Sequence, residues 1–242
     1  MTQHFNFTAN GQALTATVYR AHEPLGITLL LGPGMDGSQR NSFVVAQASE
    51  LAQRGALVVT YDYPFAVRGG GTPDPMTALI ACARAAIVAA GQCRPTNRLF
   101  VGGKSLSARV LSLLLADGAE EAAGVLGLVA MGYPLHPVGR PDERKESHLL
   151  RLPLPAFFVQ GTRDVLGTAD ELASFTTPRP PGTEVYAVDG GDHELVVPAR
   201  GSMTQSEAIE SMQDAVVRWM QLVSAPATRS VRAPQPSVAN RR

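Results

Sequence analysis

Six short apolar runs, at 27–31, 57–61, 98–102, 125–130, 156–160 and 184–188, recur along the chain with almost no polar residue set between their members. A strand with one wet face alternates apolar and polar side chains, so runs without alternation read as strands buried on both faces of a parallel sheet. Parallel neighbours need crossover connections, and helical patterns lie between the runs. Asp74-Pro75 offers an N-cap and a first-turn proline; Met76, Leu79, Ile80, Ala83, Ile87 and Ala90 share one helical face, and Gly91 is expected to end it. Residues 41–55 repeat that logic. Thr168 with Glu171 and Thr204 with Glu207 fit capping boxes, the second opening a helix that buries Ile209, Met212, Val216, Trp219 and Val223. Ahead of all these, residues 5–9 and 12–20 alternate around Asn10-Gly11, with Phe5, Phe7, Leu14, Ala16 and Val18 on one side, which is a hairpin signal. The expected fold class is α/β: an eight-stranded, mostly parallel sheet with helices on both faces.

A chain of 242 residues, 45% apolar, fits one large core, expected over residues 1–223. From Ser224 the apolar pattern stops; Pro226, Pro234 and Pro236 accompany Arg229, Arg232, Arg241 and Arg242 without an acid, and residues 224–242 read as a disordered basic tail. Lys+Arg and Asp+Glu both count 21, so no net field draws the chain to nucleic acid or an anionic membrane, and a small-molecule partner is expected. Oligomeric state leaves no signature. Cys82 and Cys93 supply neither a disulfide framework nor a zinc set, and His4, His22, His136 and His148 lack metal-ligand spacing, so no metal or cofactor is expected. The N-terminus shows no basic region followed by an apolar stretch, and no run approaches about 18 apolar residues, so a soluble cytoplasmic protein is expected.

Three strings each follow an apolar run: GGKSLS at 102–107, GTRD at 161–164 and GGDH at 190–193. They offer a nucleophile, Ser105, an acid, Asp164, and a base, His193, each at the carboxyl end of an expected parallel strand, where open α/β sheets gather their sites. Serine at its own pKa is a poor nucleophile and needs a base in hydrogen-bond reach, with a carboxylate to orient that base. In a nucleophile elbow the strand-to-helix turn is so tight that neighbours must be small, a demand met by Gly102, Gly103 and Ser107. Taken singly, a glycine-rich turn or an Asp or His at a strand end is an ordinary turn or cap; the order Ser105, Asp164, His193 is what joins them. Asp192 and Asp62 are weaker acids for the role, one adjacent to the base and one too early in the sheet order. An oxyanion needs two backbone donors: Leu106 N–H from the elbow, and one from LGPGMDGS after the run at 27–31, where Pro33 has no N–H and Gly34 or Met35 must serve. Tyr63, Lys104 and His136 are expected near the rim of a substrate cleft, His136 with packing in its proline-rich loop as the equal alternative. GGKS ends like a phosphate loop, yet the glycine that GxxxxGK[ST] requires is Arg98.

The strings GGKSLSAR, YDYPFAVRGGGTPDP, GYPLHPVGRP, FVQGTRDVLGTADEL and GGDHEL resemble the small α/β-hydrolases related to testis-expressed and non-specific-lethal-complex subunit proteins, distant relatives of dienelactone hydrolases, over residues 25–222. The resemblance implies an α/β-hydrolase fold. It carries Ser105, Asp164 and His193 onto matching positions, with acyl transfer as the mechanism and a small carboxylic ester as the substrate class, a thioester or peptide remaining open. Two departures stand out: Ser107 and Ala108 replace the glycines usual after the elbow serine, and Leu31-Gly32-Pro33-Gly34 replaces a usual His-Gly opening. They keep a second class in play, an interaction module that retains the fold without its catalysis. Only about two dozen residues separate the runs at 125–130 and 156–160, where relatives insert lids, so an open cleft without a large cap domain is expected.

Overall fold

Asn10 and Gly11 both take positive φ, 52° and 74°, the backbone that a two-residue hairpin loop needs to match the twist of its strands. They join β1 (Thr2–Ala9) to β2 (Gln12–Tyr19), with Ala9 opposite Gln12. The computed structural model describes residues 2–144, 147–174 and 179–225. After the hairpin come β3 (Ile27–Gly32), α1 (Ser42–Gln53), β4 (Leu57–Tyr61), α2 (Pro64–Val67), α3 (Met76–Cys93), β5 (Arg98–Lys104) and α4 (Leu106–Ala116). Then follow β6 (Val125–Met131), β7 (Ala156–Gly161), α5 (Ala169–Ser174), β8 (Glu184–Val188) and α6 (Gln205–Ser224).

The eight strands lie in the order β1-β2-β4-β3-β5-β6-β7-β8. The pairs β1–β2 and β2–β4 are antiparallel, and every other pair is parallel. Chain order reverses at β3: β4 lies on one side of it and β5 on the other, which opens a crevice outside the carboxyl ends of β3 and β5. Strand alternation splits the core into two layers. Leu30, Val101, Ala130 and Phe158 pack with α3 and α4 on one face, while Leu29, Leu31, Phe100 and Val129 pack with α1 and α6 on the other.

Three of the six α-helices among the described residues begin on a side-chain cap. Asn41 Oδ1 accepts the Phe43 N–H at the head of α1, and Thr204 and Glu207 close a reciprocal capping box on α6. Thr168 and Glu171 do the same for α5, at 2.8 and 3.2 Å. Helix α3 differs from expectation at both ends. Pro75, whose ring has no acceptor, sits at the cap position in place of Asp74, and the Asp74 carboxylate pairs with the Arg68 guanidinium at 2.5 Å. Gly91 does not adopt a positive φ, so the helix runs on to Cys93. The short α2, seeded by Pro64 in its first turn, is not anticipated by the apolar pattern.

By length and mean hydropathy α3 could also cross a membrane, although Thr77, Arg84 and Gln92 interrupt its apolar residues. Its buried face of Leu79, Cys82, Ala83, Ala86, Ile87 and Ala90 packs instead on the sheet. The last helix ends at Ser224, and residues 226–242 of the expected tail lie outside the described residues.

Cys82 is fully buried in the α3 layer; loss of water, helped by the Asp74 and Asp62 charges, pushes its thiol up from 9.0 to about 12. The folded chain therefore keeps a proton that the unfolded chain releases, so this group's contribution to stability is present below pH 9 and is lost as pH rises toward 12. Urea unfolding at pH 8 and pH 10 is expected to show the wild type losing about 1.4 kcal/mol more than Cys82→Ala over that interval.

Candidate active site

Ser105 joins the end of β5 to the first residue of α4 with φ 46° and ψ −101°, a region that a residue with a Cβ rarely occupies. The turn closes because its neighbours are small. A Cβ on Gly102 would stand 2.6 Å from Val129 O, and one on Gly103 would stand 2.4 Å from Ser107 Cβ. Backbone bonds hold the turn from both sides: Ser105 N–H donates to Met131 O at 3.0 Å, and Arg109 N–H donates to Ser105 O at 3.2 Å.

The loops after β7 and β8 are laced together. A Cβ on Gly161 would lie 2.2 Å from Gly191 O, and Arg163 N–H donates to that same carbonyl at 2.9 Å. Asp192 Oδ1 accepts the N–H groups of Glu194 and Val196, both at 2.9 Å, which curls the loop around its base and leaves this carboxylate occupied. Lys104 Nζ donates to His193 O at 2.6 Å and lies 3.4 Å from Glu194 Oε1; burial lowers its pKa from 10.5.

These loops bring three side chains into line. His193 Nε2 lies 2.9 Å from Ser105 Oγ, and His193 Nδ1 lies 2.8 Å from Asp164 Oδ2. A carboxylate can only accept, so Nδ1 carries the imidazole proton and Nε2 presents its lone pair to the serine hydroxyl. Asp164 is fully screened from water. Its charge is met by Leu166 N–H on Oδ1 at 2.8 Å, and by Gln160 Nε2 on Oδ2 at 2.7 Å. Gln160 also accepts the Tyr133 N–H at 2.7 Å and donates to Gly167 O at 2.5 Å, so one side chain fixes the acid and the loop below it. Sequence reasoning passed over Gln160; a lone polar residue inside an apolar strand was the available signal.

Asp62, the other acid at a strand end, accepts from Ser38 Oγ and from Gln39 N–H and Nε2, and so pins the loop after β3. Gly34 in that loop stands beside the elbow, its missing Cβ 3.5 Å from Lys104 Cγ, while Met35 is 60% exposed. Leu106 is the first residue of α4, where an N–H has no partner within the helix.

The three expected rim residues are not at the rim. Tyr63 is fully buried, its hydroxyl 3.1 Å from both Tyr61 and Ser107. Lys104 is 3% exposed, because strand alternation puts it on the same face as Phe100, against the Phe43 ring and the His193 carbonyl. His136 is buried as well, with Nδ1 on Pro137 O at 2.9 Å and Nε2 3.4 Å from Glu171 Oε1.

A second serine–histidine contact, Ser112 Oγ to His148 Nε2 at 2.8 Å, lies wholly inside the core, with Ser112 also donating to Arg109 O. No substrate can reach it. Between α1, α6 and the loop after β8 a groove of about 400 Å³ is lined by Phe43, Leu195, Val196, Ile209 and Met212, with Asn41, Ser42, Gln47, Glu194 and Gln205 as polar points, and neither Ser105 nor His193 lines it. Among the described residues no three His, Cys, Asp or Glu side chains cluster to hold a metal.

Residues 26–221 match the alpha/beta hydrolase domain family. The chain belongs to that family. Solved structures similar to this alpha/beta hydrolase domain include a lidless α/β serine hydrolase from Xanthomonas campestris, 17% identical, covering 90% of this chain and 94% of the other with a TM-score of 0.68. A dienelactone hydrolase from Anabaena variabilis is 14% identical over 92% and 97%, with a TM-score of 0.69. Est1E from Butyrivibrio proteoclasticus, solved with ferulic acid bound, is 12% identical over 90% and 99%, with a TM-score of 0.70. At such identities the likeness is one of fold, which agrees with the sheet order and with the absence of a large cap between β6 and β7.

Replacing Gln160 by leucine keeps the volume but takes away the acceptor of Tyr133 N–H and the donor to Gly167 O, while Asp164 Oδ2 keeps His193 Nδ1. At about 1–3 kcal/mol for each buried group left unpaired, chemical denaturation is expected to show Gln160→Leu at least about 2 kcal/mol less stable than wild type.

Proposed function

We propose that this alpha/beta hydrolase domain is a serine hydrolase that cleaves a small carboxylic ester, or a related acyl bond, through an acyl-enzyme on Ser105. The observation that carries the reading is the unbroken line from Ser105 Oγ through His193 to the buried Asp164 carboxylate, at 2.9 and 2.8 Å, ending on a serine held at positive φ.

The reaction balances with these groups alone and water. His193 Nε2 takes the hydroxyl proton as Ser105 Oγ bonds to the substrate carbonyl carbon, and the carbonyl π electrons move to oxygen. Leu106 N–H, at the positive end of α4, and Gly34 N–H receive that oxyanion. The tetrahedral species collapses as the carbon–oxygen bond to the alcohol breaks, and the imidazolium returns its proton to the departing alkoxide. Water then attacks the acyl carbon, giving its proton to Nε2, and the acid leaves as Ser105 regains its hydrogen. Asp164 holds the working tautomer and stabilises the imidazolium without itself taking a proton.

Access supports a small substrate. Among the described residues between β6 and β7 no large cap covers the sheet edge, which leaves the crevice open to a compact ester, consistent with ferulic acid bound to the fold neighbour Est1E. The intact geometry gives no support to a module that has kept only the fold.

With p-nitrophenyl acetate as substrate, Ser105→Ala is expected to lose about 10⁴-fold or more in kcat while remaining folded. Turnover equal to wild type would remove Ser105 from the mechanism.

A further inference from the structure

Position 107, two residues past the nucleophile, carries a fully buried serine inside the tightest part of the elbow. Its bulk is accommodated by two glycines on adjacent strands. A Cβ on Gly103 would lie 2.4 Å from Ser107 Cβ, and one on Gly32 would lie 2.5 Å from Ser107 Oγ. Gly32 and Gly103 are register partners of β3 and β5, so the three residues form one steric unit across the crevice where chain order reverses.

The hydroxyl completes what the bulk begins. Ser107 Oγ lies 2.5 Å from Pro33 O and 3.1 Å from Tyr63 Oη, which in turn lies 3.1 Å from Tyr61 Oη. A carbonyl can only accept and a hydroxyl has one proton, so Ser107 donates to Pro33. Tyr63 must then supply the proton of its contact with Ser107, and Tyr61 donates to Tyr63. Burial raises both phenols above 10.0, so each keeps the proton that this arrangement uses.

The consequence lies on the far side of the same peptide plane. In a trans peptide the C=O and the following N–H point in opposite directions. Drawing Pro33 O inward onto Ser107 turns Gly34 N–H the other way, away from the buried hydroxyls. Neither Gly34 nor Met35 donates its N–H to another group among the described residues.

We propose that Ser107 is a positioning residue which, by holding the Pro33 carbonyl, aims the Gly34 N–H at the developing oxyanion. The proposal rests on the serine-hydrolase reading. It gives the departure from a second elbow glycine a function: this chain lacks a His-Gly opening in the loop after β3 and orients that loop from beneath with a hydroxyl.

The test is steady-state hydrolysis of p-nitrophenyl acetate by wild type, Ser105→Ala, Ser107→Ala and Ser107→Gly, with thermal unfolding of each. Loss of one aimed oxyanion donor predicts a fall in kcat of about 10²-fold for both Ser107 variants, with KM within about threefold of wild type. Ser107→Gly serves if the alanine variant does not fold, since glycine fits any elbow and also lacks the hydroxyl. A Ser107 variant that keeps wild-type kcat, or that loses efficiency through KM alone, would overturn the proposal while leaving the hydrolase reading intact. A wild type without turnover, or one unaffected by Ser105→Ala, overturns the hydrolase reading and this inference with it.

Discussion

The backbone of Ser105, held at φ 46°, is the constraint around which the site is organised. An L-residue persists in such a conformation only where its surroundings over-determine it, at a cost of about 1–3 kcal/mol. Here the surroundings are the carboxyl end of β5, the start of α4 and the Met131 carbonyl. The turn lifts the serine side chain to the edge of the sheet, where loops from β7 and β8 deliver Asp164 and His193. Relaxing the turn would move Oγ away from His193.

Around that turn, polar groups are spent on holding loops. Asp62 ties down the loop after β3, Asp192 curls the loop after β8, Gln160 braces Asp164, and Lys104 grips the His193 carbonyl from below. All four lie at or near the carboxyl edge of the parallel strands, where neighbouring strands have already aligned their exits. The fold's topology thus converges the loops, and buried hydrogen bonds remove their remaining freedom.

Most of the sheet was legible because burial on two faces writes an unambiguous pattern. The six apolar runs are β3 to β8, and Asn10-Gly11 marks the turn between β1 and β2. The convergence of Ser105, Asp164 and His193 also follows from local cues, since each sits just past a strand end. What stayed hidden depends on which way a side chain faces. The sequence places Tyr63 and Lys104 at the rim, yet alternation turns Lys104 inward and the hydroxyls of Tyr61 and Ser107 keep Tyr63 in the interior. Asp74 was read as a cap, but a local pattern cannot show that Arg68 pairs with it. Ser107 acts through Pro33 and Tyr63, more than 40 residues away in the chain, so nothing beside it in the sequence announces its role, whereas Gln160 is marked only as a lone polar residue in an apolar strand.

The account stands or falls on whether Ser105, and no other serine, is an activated nucleophile in the folded protein. Incubation with a fluorophosphonate followed by peptide mass mapping measures this directly. One adduct per chain, on the peptide carrying Ser105 and absent from Ser112, is the predicted result. A folded protein that takes no label, or takes it on another serine, would contradict the catalytic reading and leave only the architecture.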